Sequence, residues 1–193
     1  MSTVQLDSHA IATLRYIRSS MESAASVVVP GSAGIVMGMV GVAAASLALT
    51  PGFTSYWIEI WLGAAVLAAC AGTALLLRPV SERGVSLRGA PLQKFALCLC
   101  PSLVAGALIT VALFQSHSLN LIPGTWLLLY GAALASASVP TTRMLLLMGT
   151  LFGVLGIIAF FVSHLLQMLT LGLGFGGVHF AFGIWLVSDG RQS

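Results

Sequence analysis

The chain is 193 residues long, 58% apolar and only 7% charged, with a mean hydropathy of +1.03. A soluble domain carries about a quarter charged residues, so this composition excludes a water-soluble fold and a soluble catalytic domain with it. Eight basic against five acidic residues give a net charge of +3 and a pI of about 9.1, a surplus that serves as a topology signal and gives no ground for nucleic-acid binding.

Residues 1–23 predict an amphipathic helix. Asp7 or Ser8 can cap it, and Leu6, Ala10, Leu14, Ile17 and Met21 recur on one face. Arg15, Arg18 and Glu22 sit elsewhere, with Arg18 and Glu22 paired at i, i+4. The segment lacks the basic-then-apolar pattern and the small-residue cleavage site of a signal peptide. Such a helix lies along the headgroup layer, as an anchor or as a docking face for a soluble partner.

Six apolar runs of about 20 residues follow, each long enough to cross the hydrocarbon core as a helix: 25–48, 54–77, 95–115, 121–139, 144–163 and 168–187. The last two are divided only by Ser163, His164, Gln167 and Thr170. The expected architecture is all-α, with an interfacial helix over 1–23, a six-helix transmembrane bundle over 24–188 and a tail over 189–193. Basic residues orient it. Arg15 and Arg18 precede the first span, Arg78, Arg83, Arg88 and Lys94 separate the second and third, Arg143 the fourth and fifth, and Arg191 follows the sixth. All eight fall on one side, so the positive-inside rule puts both termini in the cytoplasm. Tyr56, Trp57 and Trp61 fit the outer aromatic belt and Trp185 the inner one. The stretch RPVSERGVSLRGAPLQK (78–94) retains topology and can touch anionic headgroups.

Catalytic signatures are missing. Cys98 and Cys100 are two apart, which is not the redox spacing, and with Cys70 they read as small apolar residues. No H-E-x-x-H, paired-glutamate or Walker pattern occurs. Gly172, Gly174 and Gly177 spell G-x-G-x-x-G, but that fingerprint needs a preceding strand, a helix start facing water and an acid about 20 residues on. The GSAG at 31–34 suggests a rhomboid-type serine protease only until Ser32 is placed. It sits at the edge of the first span, and the fourth, PGTWLLLYGAALASASV, lacks a nucleophile motif. A protein without enzymatic activity is expected.

Small residues at small-xxx-small spacing let membrane helices approach. Gly34, Gly38, Gly41 and Ala45 form such a stripe in the first span, Gly149, Gly153 and Gly156 in the fifth, and Gly172, Gly176, His179 and Gly183 in the sixth. The same faces suit packing within one chain or in a homo-oligomer. His179 therefore points at another helix, about 15 Å from the Asp189 boundary at 1.5 Å per residue. An ionisable group near mid-membrane needs a partner, and Glu59, a Ser/Thr hydroxyl or a backbone carbonyl is expected to supply it. Glu59 is the one acid outside the cytoplasmic segments, and His117 and His164 sit at the outer ends of the third and fifth spans. Glu59, His117, His164 and His179 either converge as a proton or ligand site, or stand apart as interfacial residues and one interhelical hydrogen bond. No local spacing such as H-x-x-x-H decides between these, and no metal or cofactor is assigned.

The stretches LRYIRSSMES (14–23), KFAL (94–97), PGTWLLLYG (123–131), MGTLFGVLG (148–156) and GFGGVHFAFG (174–183), in this order, resemble a group of uncharacterised bacterial six-helix integral membrane proteins. The resemblance covers most of the chain and implies a multi-pass protein of the bacterial cytoplasmic (inner) membrane. It brings no activity. Because genes of that group often neighbour winged-helix regulators, it implies a transcription regulator as cytoplasmic partner. The leading expectation is a non-enzymatic regulatory or accessory protein that contacts membrane lipids, binds no nucleic acid directly and docks its partner through Arg15, Arg18, Arg83 and Arg88. One alternative is a small proton-coupled transporter, or a transporter subunit, using Glu59 and His179; another is intramembrane metal or haem binding. The topology predicts a fluorescent green-fluorescent-protein fusion and a silent alkaline phosphatase fusion after Ser193. An active phosphatase there would overturn it.

Overall fold

The computed structural model describes residues 13–14, 29–82, 90–139, 141 and 143–189, with only the backbone described at 79–82 and 90–92. Of the expected 1–23 helix, Thr13 and Leu14 are described and are helical. Its remainder, including Arg15 and Arg18, lies outside the described residues, as do Arg83, Arg88 and Arg191.

No strand occurs among the described residues. The helices are α1 (Gly31–Leu49), α2 (Trp57–Glu82), α3 (Ala90–Gln115), α4 (Ile122–Ala137), α5 (Arg143–Ala159) and α6 (His164–Asp189). Five spans are long and apolar enough to cross a membrane, while α5 is a shorter apolar helix of 17 residues. The set fits a multi-pass membrane protein. In such an environment the backbone must satisfy its own polar groups, which selects helices. Hydroxyls on them bond back to their own helix, as Ser46 Oγ does to the Val42 carbonyl (2.8 Å) and Thr150 Oγ1 to the Leu146 carbonyl (2.8 Å).

Two antiparallel pairs form the body: α1 with α6, and α4 with α5. The middle of α6 joins them, α2 packs outside α1 and α3 outside α4. Arg78, Lys94 and Arg143 consequently share one end of the bundle, the basic end, while Trp57, His117 and His164 share the other, the tryptophan end.

Glycine makes both pairs possible. On α1, a Cβ at Gly31 would lie 2.5 Å from the Gly183 carbonyl oxygen, at Gly34 2.9 Å from the Gly183 Cα and at Gly38 2.6 Å from the Phe180 nitrogen. At Gly41 it would strike the Phe175 carbonyl group. From α6, Gly172 meets Ala45, Gly176 meets Val42 and Gly183 meets the Ile35 amide. In the second pair, Gly131 and Gly149 face each other's backbones, and Gly156 approaches the Leu128 nitrogen. These approaches leave no room for a side chain. Gly153 departs from its expected stripe: a Cβ there meets nothing within 4 Å, although its backbone nitrogen lies 2.9 Å from where a Cβ on Gly131 would stand. It lies on the flank of the line through Gly149 and Gly156, so it is not a packing glycine in the sense expected.

Further differences from expectation are local. Trp57 and Trp61 are buried, turned inward onto neighbouring helices, whereas Tyr56 is exposed at that end. The fifth helix stops at Ala159, and α6 begins at His164, with Ser163 at its N-cap. His117 has φ 57°, and the bonds Ser118 N to Leu113 O and His117 N to Phe114 O make it the left-handed residue of a Schellman cap on α3.

These contacts rank two alanine substitutions. Gly183→Ala drives a methyl into backbone atoms that cannot swing aside and is expected to cost about 3 kcal/mol. Gly153→Ala enters open space and is expected to gain about 0.5–1 kcal/mol from helix propensity. Thermal unfolding in detergent should show opposite Tm shifts; shifts of the same sign and size would refute this packing.

Candidate functional site

The polar centre of the bundle is built on an irregular stretch of α6. Residues Gly172–Val178, GLGFGGV, form a π-helical turn between the α-helical segments His164–Leu171 and His179–Asp189. A run with four glycines has little intrinsic preference for the tighter α turn, and π turns are wider, with i→i+5 bonding. Phe175 and His179, four residues apart, share one side of the helix, their rings stacked at 6.2 Å and 15°.

His179 is buried, and its Nε2 lies 2.8 Å from the Tyr130 hydroxyl of α4. The partner is thus a tyrosine hydroxyl, where Glu59, a Ser/Thr hydroxyl or a backbone carbonyl was expected. Phe152 of α5 closes the site edge-on, 4.9 Å from the Tyr130 ring and 5.3 Å from the imidazole. Trp61 of α2 reaches the same cluster through Phe175 at 5.9 Å. His179 Nδ1 is buried without a hydrogen-bond partner. Nε2 and the Tyr130 hydroxyl share one hydrogen bond, whose direction follows the imidazole tautomer. The pair is neutral and aromatic-walled. It has the groups to pass a proton and no charge to hold an ion.

A second buried polar side chain, Gln167, acts as a clamp. Its Nε2 donates to the Asn120 carbonyl (2.9 Å) and to the Ala159 carbonyl at the end of α5 (3.0 Å). Helix ends leave carbonyls unpaired, and this amide satisfies one while joining the approach to α4. A third link, Trp126 Nε1 to Thr110 Oγ1 at 2.7 Å, ties α4 to α3.

The other sequence candidates do not join His179. Glu59 is exposed on α2, in the first turn, facing away from its buried neighbours Trp57 and Ile58. His164 is exposed and rests edge-on against Trp57 at 5.5 Å, while His117 is exposed in its turn. Among the described residues no three His, Cys, Asp or Glu side chains gather closely enough to hold a metal ion. Sequence reasoning missed Tyr130, Phe152, Phe175 and Gln167. Tyr130 and Gln167 were detectable as polar groups inside apolar runs; the phenylalanines looked like any lipid-facing residue. Comparison with protein-family models, with curated proteins and with solved structures returned no match.

The Tyr130–His179 bond should emerge from a double-mutant cycle of Tyr130→Phe and His179→Ala. The expected coupling is about 0.6 kcal/mol and not above about 1.7, the range of interhelical hydrogen bonds in a membrane. Gln167→Leu should cost about 1–3 kcal/mol, because the buried Ala159 carbonyl and the part-buried Asn120 carbonyl lose their donor. Strict additivity in the cycle would remove the hydrogen bond from the account.

Proposed function

We propose that this protein is a non-enzymatic regulatory or accessory membrane protein of the bacterial cytoplasmic membrane. Six spans hold both termini in the cytoplasm, α5 crossing with α4 as an antiparallel hairpin. The protein engages a cytoplasmic partner through its basic face, and the family resemblance makes a transcription regulator the leading partner class. One observation carries the reading: the buried polar side chains among the described residues are the uncharged Gln167 and His179, while Arg78, Lys94 and Arg143 are all exposed at one end. A bundle with a neutral, closely packed interior and its cations gathered outside suits recognition at that end better than passage through the middle. Proton-coupled transport draws little from this geometry, since Glu59 and His179 point to different surroundings. Arg15, Arg18, Arg83 and Arg88 extend the basic face in sequence and form the proposed docking set.

The test is cross-linking in membranes, identification of the captured protein and rebinding of the purified pair. Replacing Arg15, Arg18, Arg83 and Arg88 together by Ala should abolish rebinding. Raising salt from 50 to 300 mM should weaken it strongly, because exposed charges are screened beyond a Debye length that shortens to below about 10 Å. Rebinding indifferent to both changes would sink the proposal.

A further inference from the structure

The two glycine-packed pairs are joined to each other unevenly. Over His164–Leu171, α6 packs on both α4 and α5, and over Gly172–Val178 it packs on α5. Over His179–Asp189 it packs extensively on α1 alone among the described residues, and α1 itself does not pack extensively on α4 or α5. Side-chain links follow the same division. Gln167 reaches the Asn120 and Ala159 carbonyls, Trp57 meets Trp126 at 6.3 Å, and Phe152 meets Phe175 at 5.2 Å, all at or towards the tryptophan end. Of the polar side-chain links from α6 to α4 and α5 among the described residues, the 2.8 Å bond between Tyr130 and His179 lies nearest the basic end.

Below that bond the interior is apolar. Leu134 of α4 and Leu145 and Met148 of α5 are buried, and Phe182 of α6 is half-buried against the core. Such side chains lose little in a bilayer when lipid tails replace their neighbours, because a tail is as apolar as a leucine. Packing at the basic end therefore resists separation weakly, and the hydrogen bond above it carries more of the closure. At about 1.5 Å per residue, Asn120 stands about 15 Å above Tyr130 and Asp189 about 15 Å below His179, so the joint occupies one half of the bundle and leaves the other half of α6 to α1. Closure also leaves His179 Nδ1 buried without a partner, a cost that water entering from the basic end removes. One bond that favours the closed form is thus set against one unmet atom that disfavours it.

We infer that the α4–α5 pair swings away from the α1–α6 pair at the basic end, pivoting on the tryptophan-end joint, and that the Tyr130–His179 hydrogen bond is the latch of the closed form. The pivot is covalent as well as packed: residues 160–163 connect α5 to α6 there, and the Gln167 amide holds the end of α5 and the approach to α4 beside it. Each pair moves as a unit, because Gly31 and Gly34 meet the Gly183 backbone and Gly131 meets that of Gly149, with no side chain between to yield. The inference rests on packing within the fold and needs no cytoplasmic partner, so failure of partner capture leaves it standing.

Pulsed dipolar electron spin resonance on the full chain in lipid nanodiscs tests it, with Cys70, Cys98 and Cys100 replaced by Ser. Spin labels on Leu146→Cys and Ile184→Cys, both at exposed positions, read the separation of the two pairs at the basic end. Labels on Leu47→Cys and Ile184→Cys, exposed on α1 and α6, read the α1–α6 pair internally. Tyr130→Phe keeps the ring and removes the hydroxyl. It should raise the ratio of long to short distances between the pairs about threefold, the equivalent of an interhelical hydrogen bond of about 0.6 kcal/mol. The internal distance should stay single and unchanged. Gln167→Leu, which loosens the pivot and not the latch, should leave the ratio between the pairs as in wild type. An unchanged ratio in Tyr130→Phe, an equal rise in Gln167→Leu, or a matching spread of the internal distance would each overturn the inference.

Discussion

Contact between the backbones of α1 and α6 is the constraint on which the rest of the structure depends. A lipid tail is as apolar as a leucine, so burying leucine between membrane helices gains little, and association falls to close van der Waals packing and interhelical hydrogen bonds. Gly31, Gly34, Gly38 and Gly41 supply that closeness along most of α1, and Gly183 answers from α6. The Gly131–Gly149 contact does the same for α4 and α5. Two tight hairpin-like pairs result, and whatever lies between them has to fit a space already fixed by backbones.

What lies between them is aromatic and weakly polar. Phe152, Phe175, Tyr130 and His179 form a continuous ring cluster, joined by one side-chain hydrogen bond across helices. The cluster carries an unmet need, since His179 Nδ1 and Trp61 Nε1 are buried without a bond of good geometry, as is Gln167 Oε1 nearer the tryptophan end. Each such atom costs free energy in an apolar interior. Their retention close to a π turn is a local conflict of the kind that accompanies function more often than it accompanies stability. The π turn and the imidazole are adjacent: Phe175 lies within the turn and stacks on His179, the first residue of the α-helical segment that follows.

Much of this was legible in the sequence, because the signals were periodic or compositional. Apolar runs located the spans to within a few residues, and the glycine stripes of α1 and α6 were read on the faces where they pack. Burial of His179 followed from its place on the stripe, but its partner did not. A strict 3.6-residue period assigns phase as if α6 were one regular helix, and the π turn changes that phase between Gly172 and Val178. The same limit applies to Gly153, which shares spacing with Gly149 and Gly156 while its missing side chain opens on free space. Trp57 and Trp61 illustrate a different gap. Composition places tryptophan near an interface, yet only the packing of α2 on its neighbours turns these two inward.

The distribution of polarity gives the molecule its direction. At the tryptophan end, exposed His117 and His164 and the Gln167 clamp lie close to helix ends, where turns need capping and carbonyls need donors. At the basic end, Arg78, Lys94 and Arg143 are exposed, away from the glycine contacts between helices. Polarity thus serves helix ends at one end of the bundle and stays on the surface at the other.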